Sequence, residues 1–550
     1  MPKDARETGA GEMKSAARMD KAFLAICIVF GIYAALFIYR TSFVIEGRRY
    51  FSLFDDAMIS MTYARNLAQG HGLVWNAGGE RVEGITNLGW TLYMALLHLL
   101  PVAQSKISAL VQASAAALLV AGLAFTRRIA IAISGGSAFV WIGSVVAAAF
   151  YLPIVNWSLQ GMEVALLILL VNAALYKSVR SISAHAFSPW PYALLAVAML
   201  VRLDMAMPFA VVLAFFWATD RGNRSRHLAW GLGLFAAAVV SQTVFRLAYY
   251  GDFLPNTYYL KIAGYPFLLR LTRGLYVTFV FIWRLNWVLF AVPIVLLVTR
   301  RERREVLLGV VLAGQLAYSI YVGGDAWESW GGSNRYVCIA MPCFFILFFQ
   351  GVRAVGQRLR SHLAGRPGIG PAGVDRWLTR AAVALAAIAL ASFNAIYGPA
   401  ALAEMALAKR PLYVEANELM TKRALVVDKI TDPAARIAVV WDGAIVYFAQ
   451  RPAISILGKN DRKIAREKMH RVGGAKALVA FYPGHLKWDY AYSIGTLKPD
   501  VVVQLWEEPE TATPFLSRDY SQIRLSGFQM NVRKGSPHVR WDRVQSLSTE

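Results

Sequence analysis

Residues 51 to 76 read FSLFDDAMISMTYARNLAQGHGLVWN, and the acidic pair Asp55 and Asp56 near their start orients the rest of the chain. They follow the first strongly apolar run, residues 22 to 40, which at ~1.5 Å rise per residue is long enough to cross a bilayer. Two carboxylates therefore stand just outside a membrane. From Asp56 onward, Met58, Ile59, Met61, Tyr63 and Leu67 cover one broad side of a helix, Arg65, Asn66 and Gln69 face elsewhere, and Gly70 and Gly72 end it. This predicts an interfacial helix lying on the membrane with its acidic end aimed at the rest of the protein.

Of the 550 residues, 57% are hydrophobic and only 17% charged, which excludes an ordinary soluble enzyme and predicts a polytopic α-helical membrane protein. The net charge of +23 comes from Lys and Arg gathered in short loops between apolar spans. That is the positive-inside pattern, not a nucleic-acid-binding surface. Cys27, Cys338 and Cys343 all fall inside apolar segments, so neither a disulfide nor a thiolate metal site is expected in the hydrophilic regions.

Lys3, Arg6, Lys14, Arg18 and Lys21 place the N-terminus in the cytoplasm, and the absence of a small-residue cleavage site makes residues 22 to 40 a retained anchor. GITNLGWTLYMALLHLL (84 to 100) reads as a second interfacial helix, because a crossing there would turn Arg127 and Arg128 outward. Spans follow at 106–126, 137–155 and 161–179, then a hairpin of 190–201 and 205–219 with Arg202 and Asp204 at its tip. Further spans are expected at 228–249, 285–299, 305–321, 336–350 and 379–397, with the aromatic, partly basic stretch before 285 outside. The total is about eleven spans, with RRERR (300 to 304) and the Gly/Pro/Arg-rich loop near 360 to 372 inside and the C-terminus outside. Residues 1–397 form the transmembrane domain. Residues 398–550 form an external soluble domain, in which RIAVVW, PAISIL, KALVAFY and VVVQLW read as strands and GAIVYFAQ and DRKIAREKMHRV as helices of an α/β layer.

Ionisable groups near a membrane are costly unless paired or functional, and the external loops concentrate them: Asp55, Asp56, Glu163, Arg202 with Asp204, Arg246, Asp252, Lys261, Asp325 and Arg335. Asp55 and Asp56 point about 100° apart, so one can act while the other caps; the plainer reading is a Ser52–Asp55 capping box with Asp56 favouring the helix dipole. Arg202 either closes the hairpin on Asp204 or offers its fork of donors to a lipid phosphate. Lys261 either snorkels to headgroups or binds that phosphate. Trp327 and Trp330, beside Asp325 and Glu328, suit sugar faces or an interfacial belt equally. His485 is isolated from other histidines and reads as a satisfied surface residue; no zinc-type spacing exists.

FDDA followed by LAQGHGLVWN and GERVEGITN resembles the GT-C superfamily of polyprenyl-phosphate-dependent glycosyltransferases, and within it the branch containing the mycobacterial terminal arabinofuranosyltransferase. WSLQGMEVAL, RLDM, YGDFLPNTYYLK, GGDAWES with NRY, DGAIVYF, ILGKND and YPGHLKWD extend the resemblance over most of the chain. It implies an inverting transfer of a sugar, arabinofuranose in that branch, from a polyprenyl-monophosphate donor to an acceptor glycan on the outer face of the inner membrane, without a nucleotide; no cofactor is expected and no residue is assigned to a metal. It also implies Asp55 or Asp56 as general base, with Asp55 favoured because Asp56 lies deeper among the helix-start amides. Arg202, Lys261 and Arg335 become the donor-phosphate residues, and Glu163, Asp325, Trp327, Tyr258 and His485 the sugar- and acceptor-binding ones. Partners would be the lipid-linked donor, the glycan acceptor and membrane lipids, and no nucleic acid. A lipid A or protein glycosyltransferase, a ligase or polymerase using a diphosphate-linked donor, a lipid-linked-sugar transporter and an assembly protein are the competing classes.

Overall fold

The computed structural model describes residues 4–363, 371–470 and 477–548. The centre of the basic loop expected near 360 to 372 lies outside them, as does the start of KALVAFY. Among the described residues, six helices are each long and apolar enough to cross a membrane: Met19–Arg40, Gln104–Ser134, Val164–Ala184, Arg221–Tyr250, Arg303–Val322 and Gly373–Asn394. Two bent pairs, Ala138–Ala149 with Leu152–Leu159 (48°) and Phe267–Leu285 with Trp287–Arg300 (98°), raise the number to eight if each pair is one span. The shortfall from eleven lies in the short hairpin arms, Trp190–Val201 and Leu203–Thr219, and in Met341–Leu363, whose second half carries Arg353, Arg358 and Arg360. The first helix shows why these segments need a bilayer. Phe30, Ala34 and Phe37 bury one stripe, while Leu24, Ile28, Ile32 and Leu36 are exposed on the other side.

Two expectations for the membrane-associated part change. Phe267–Leu285, expected as an aromatic, partly basic stretch with no element assigned, is a helix: Arg270, Arg273, Val277 and Phe281 recur at helical spacing and are buried, while Leu268, Leu275, Phe279 and Trp283 stay exposed. Asn286, at φ 82°, ends it and accepts the Val288 amide at 3.1 Å to start the next helix. The Asp55–Ala68 helix does not lie open on one face either. Ala57 through Asn66 are all buried, packed against Leu88–His98 on one side and Ala444–Ala449 of the C-terminal segment on the other. A hairpin, Ser42–Ile45 with Arg48–Phe51, leads into it.

The C-terminal segment holds a five-stranded sheet ordered Ala453–Ser455, Ile437–Val439, Val501–Val502, Phe528–Arg533, Tyr520–Leu525. The first three strands are parallel and the last two close an antiparallel hairpin. Ile437 and Val439 join the core shared with the membrane helices, whereas Ala438 faces a second cluster around Trp488, Tyr490 and Ile494. A strand buried on both faces explains the unbroken apolar run IAVV. The described part of KALVAFY, Ala477–Ala480, is helical rather than a strand.

Candidate functional site

The two carboxylates occupy the first turn of the Asp55–Ala68 helix and diverge to different neighbours. Asp56 Oδ1 accepts from Lys459 Nζ at 2.5 Å and Oδ2 from Arg335 Nη2 at 3.1 Å. Arg335 also forks onto Asp325, at 2.6 and 3.1 Å, a geometry that lysine lacks. Asn334 accepts the Tyr336 and Val337 amides and so fixes Arg335 as the first residue of its short helix. Burial alone would raise the Asp56 carboxyl, but Lys459, Arg335 and Lys261 outweigh it and hold it well below the ordinary carboxylate range.

Asp55 turns away, toward the C-terminal segment. Its Oδ1 accepts the Ala444 amide at 3.0 Å, and the chains approach so closely that a Cβ on Gly443 would lie 2.1 Å from the Asp55 carbonyl oxygen. Burial pushes the Asp55 carboxyl up to about 6, against the pull of Lys459 and the Ala444 amide. The Ser52–Asp55 capping box does not form: Phe54 precedes the helix, and Ser52 donates to the Leu53 carbonyl.

A cavity of about 30 Å³, room for roughly one water-sized group, opens at Asp56 and is walled by Asn87, Lys261, Arg335 and Lys459. A second cavity of about 670 Å³, within the range of roughly 300–1,000 Å³ typical of small-molecule sites, adjoins it. Lys261 and Arg202 line it together with the apolar Met207, Ala210 and Phe235. Lys261 lines both. Arg202 is held by Glu163 and by Asp204, the latter at 2.8 Å; Arg246 is held by Glu83. Among the described residues, Lys261 is the cation at this junction with no carboxylate in ion-pair contact. Burial, reinforced by Arg335, brings its ammonium down to about 8.

The structure thus gathers Asp56, Arg335, Asp325 and Lys261 at one point, with Arg202 and Tyr258 along the larger cavity. Glu163 is fully buried, its oxygens taken by Arg202 and by Asn87 Nδ2, the latter at 2.8 Å, and it lines neither cavity. Trp327 packs edge-on to Phe54, Tyr413 and His485. His485 is not the surface residue expected: it is buried among Trp327, Trp441 and Trp506. That burial, with Lys459 nearby, brings it down to about 3, so it is neutral. The residue that sequence reasoning missed is Lys459. It stood in the ILGKND motif, but nothing local announces a contact with a carboxylate 403 positions away. Among the described residues no group of three or more His, Cys, Asp or Glu side chains is arranged to hold a metal ion, and both Asp56 oxygens are committed to cations.

No protein-family model and no curated protein matches the chain. Solved structures do. ArnT from Cupriavidus metallidurans bound to undecaprenyl phosphate superposes with a TM-score of 0.54 at 13% identity, covering 95% of this chain and 99% of that one. Its apo state gives 0.53 at 14% identity, covering 94% and 98%. The Archaeoglobus fulgidus oligosaccharyltransferase AglB, in complex with an inhibitory peptide and a dolichol-phosphate, gives 0.53 at 10% identity, covering 93% of this chain and 74% of that one. The chain therefore shares the fold of these proteins over nearly its whole length.

Proposed function

We propose that this chain is an inverting membrane glycosyltransferase that moves a sugar from a polyprenyl-monophosphate donor to an acceptor glycan on the outer face of the inner membrane. On the strength of the sequence resemblance the sugar is arabinofuranose. The observation that carries the reading is the meeting of the two cavities at Lys261, with Asp56 across the smaller one. A large, mostly apolar cavity suits a polyprenyl chain. A lining ammonium with no carboxylate in ion-pair contact suits the one negative charge of a phosphodiester, and a diphosphate would bring more charge than it offsets. The neighbouring fold that carries undecaprenyl phosphate supports the same ligand class.

In this reading the acceptor hydroxyl sits against Asp56 and attacks the anomeric carbon from the face opposite the phosphate. The new C–O bond forms as the bond to phosphate oxygen breaks; the bonding pair leaves with the phosphate toward Lys261, and the hydroxyl proton passes to Asp56. Lys459 and Arg335 keep Asp56 ionised and therefore able only to accept. Its weak basicity is no obstacle to a late transfer, because the forming bond makes the hydroxyl strongly acidic. The test is transfer by the purified protein from polyprenyl-monophosphate arabinofuranose, other pentose and hexose donors, and a diphosphate-linked sugar, each with a short glycan, a peptide and a lipid A acceptor. Transfer of arabinofuranose from the monophosphate to the glycan, with inverted anomeric configuration, is expected. Transfer only from the diphosphate donor, or retention, overturns the reading.

A further inference from the structure

The segment 481–487 of the C-terminal part, FYPGHLK, meets the segment bearing Lys261 in two places. Lys487, 1% exposed, donates all three of its ammonium hydrogens to backbone carbonyls: Tyr259 at 2.8 Å, Ala263 at 3.0 Å and Ala465 at 2.8 Å. Two of these acceptors lie two residues before and two residues after Lys261, so the ammonium brackets it. No carboxylate among the described residues lies in ion-pair contact with Lys487, so its bonds are spent on backbone position rather than on charge pairing. Gly484, at φ +85°, packs on the Lys261 stem: a Cβ there would stand 3.1 Å from both Cγ and Cε of Lys261. Pro483 lines the larger cavity beside Lys261. Asn256 fastens the start of the same segment by donating to the Gly458 and Lys459 carbonyls, both at 2.9 Å.

We propose that Lys487 and Gly484 are positioning residues: the C-terminal segment sets where the Lys261 ammonium stands, Lys487 by fixing the backbone on either side and Gly484 by leaving room for the stem. The consequence for phosphate binding rests on the function proposed above; the positioning itself does not. An ammonium tied to three carbonyls holds the C-terminal end of a short helix, Asn256–Lys261, whose start Asn256 already fastens. The arrangement makes the C-terminal segment part of the donor site from two directions, Lys459 at Asp56 and Lys487 beneath Lys261.

The experiment uses the full-length protein in detergent, reductively methylated with ¹³C-formaldehyde, with the Lys261 dimethylamine resonance assigned by its loss in Lys261→Met. Lys487→Met and Gly484→Ala are each expected to move that resonance, and Lys487→Arg to return it part of the way. Arg518→Ala, which removes an exposed ion pair with Asp519, leaves it in place. In parallel, binding of a polyprenyl monophosphate in nanodiscs is expected to weaken about tenfold in Lys487→Met and in Gly484→Ala, and neither change weakens it further in a Lys261→Met background. An unmoved resonance, or equal weakening with and without Lys261, overturns the proposal. Wild-type lipid binding by Lys261→Met together with a moved resonance overturns the phosphate role of Lys261 and leaves the positioning standing.

Discussion

Lys459→Met tests whether the C-terminal segment is wired into the acidic pair. The substitution keeps the apolar stem and removes one of the two cations on Asp56, whose side chain is 12% exposed. Leaving a buried charge wholly unpaired costs ~3–5 kcal/mol. Asp56 keeps Arg335 at 3.1 Å, so the loss should match one charge-assisted hydrogen bond, about 2 kcal/mol or roughly 30-fold in the folded-to-unfolded ratio. Asp56→Asn in the Lys459→Met background should recover part of this, giving a coupling energy of the same order. The pH dependence has a defined sign. Asp56 is held below its ordinary value of 3.8 in the folded state, so the stability it contributes is present above that value and lost as pH falls through the folded one. In Lys459→Met the carboxyl rises toward the ordinary value. The gap between the two proteins is therefore full at neutral pH and narrows below about pH 4. Unfolding in mixed dodecyl-maltoside and SDS micelles, followed by tryptophan fluorescence, measures both. Stability within ~0.5 kcal/mol of wild type, or zero coupling to Asp56, would refute the wiring.

Three further outcomes follow from the site. Polyprenyl-monophosphate binding should fall as pH rises through about 8, where free Lys261 loses its charge, and Lys261→Met should abolish that dependence; a flat profile in wild type counts against the ammonium. Arg202→Ala should cost ~3–5 kcal/mol of stability by stranding Glu163 and Asp204, and Arg202→Lys less, while donor affinity in the folded fraction changes less than in Lys261→Met; equal losses of affinity would restore Arg202 as a direct phosphate residue. Ala210→Trp, in the apolar lining of the larger cavity, should leave folding intact and block binding of long polyprenyl phosphates more than short-chain ones; unchanged binding of both would place the lipid elsewhere.

Much of this architecture was legible because burial in lipid has a blunt signature. Runs such as 22–40 and 106–126 have no competing interpretation, and the carboxylates beside them are too costly to be incidental. Phe267–Leu285 escaped because its buried stripe includes Arg270 and Arg273, which interrupt the apolar run while their guanidinium groups reach the Gly323 and Tyr321 carbonyls. The Tyr520–Arg533 hairpin escaped because its strands alternate buried and exposed positions only in part and carry Arg524 in their midst. Within the site, the acidic pair was readable but its division of labour was not. Proximity to helix-start amides argued for Asp55, but the fold sets the Ala444 amide against Asp55 and turns Asp56 toward the small cavity, which supports the assignment proposed above. Lys459 and Lys487 were unreadable for the same reason: a lysine in a soluble segment is ordinary until the fold brings it to a carboxylate or a set of carbonyls.

The most direct measurement compares turnover by Asp56→Asn and Asp55→Asn with a polyprenyl-monophosphate sugar and a glycan acceptor, alongside donor binding by the same proteins. Asparagine keeps the size of the side chain, and the proposed base faces the small cavity only at Asp56. Turnover should therefore fall roughly 10²-fold to 10⁴-fold in Asp56→Asn, with donor binding preserved, and by much less in Asp55→Asn. Near-normal turnover in Asp56→Asn, or its loss in Asp55→Asn alone, would contradict the account.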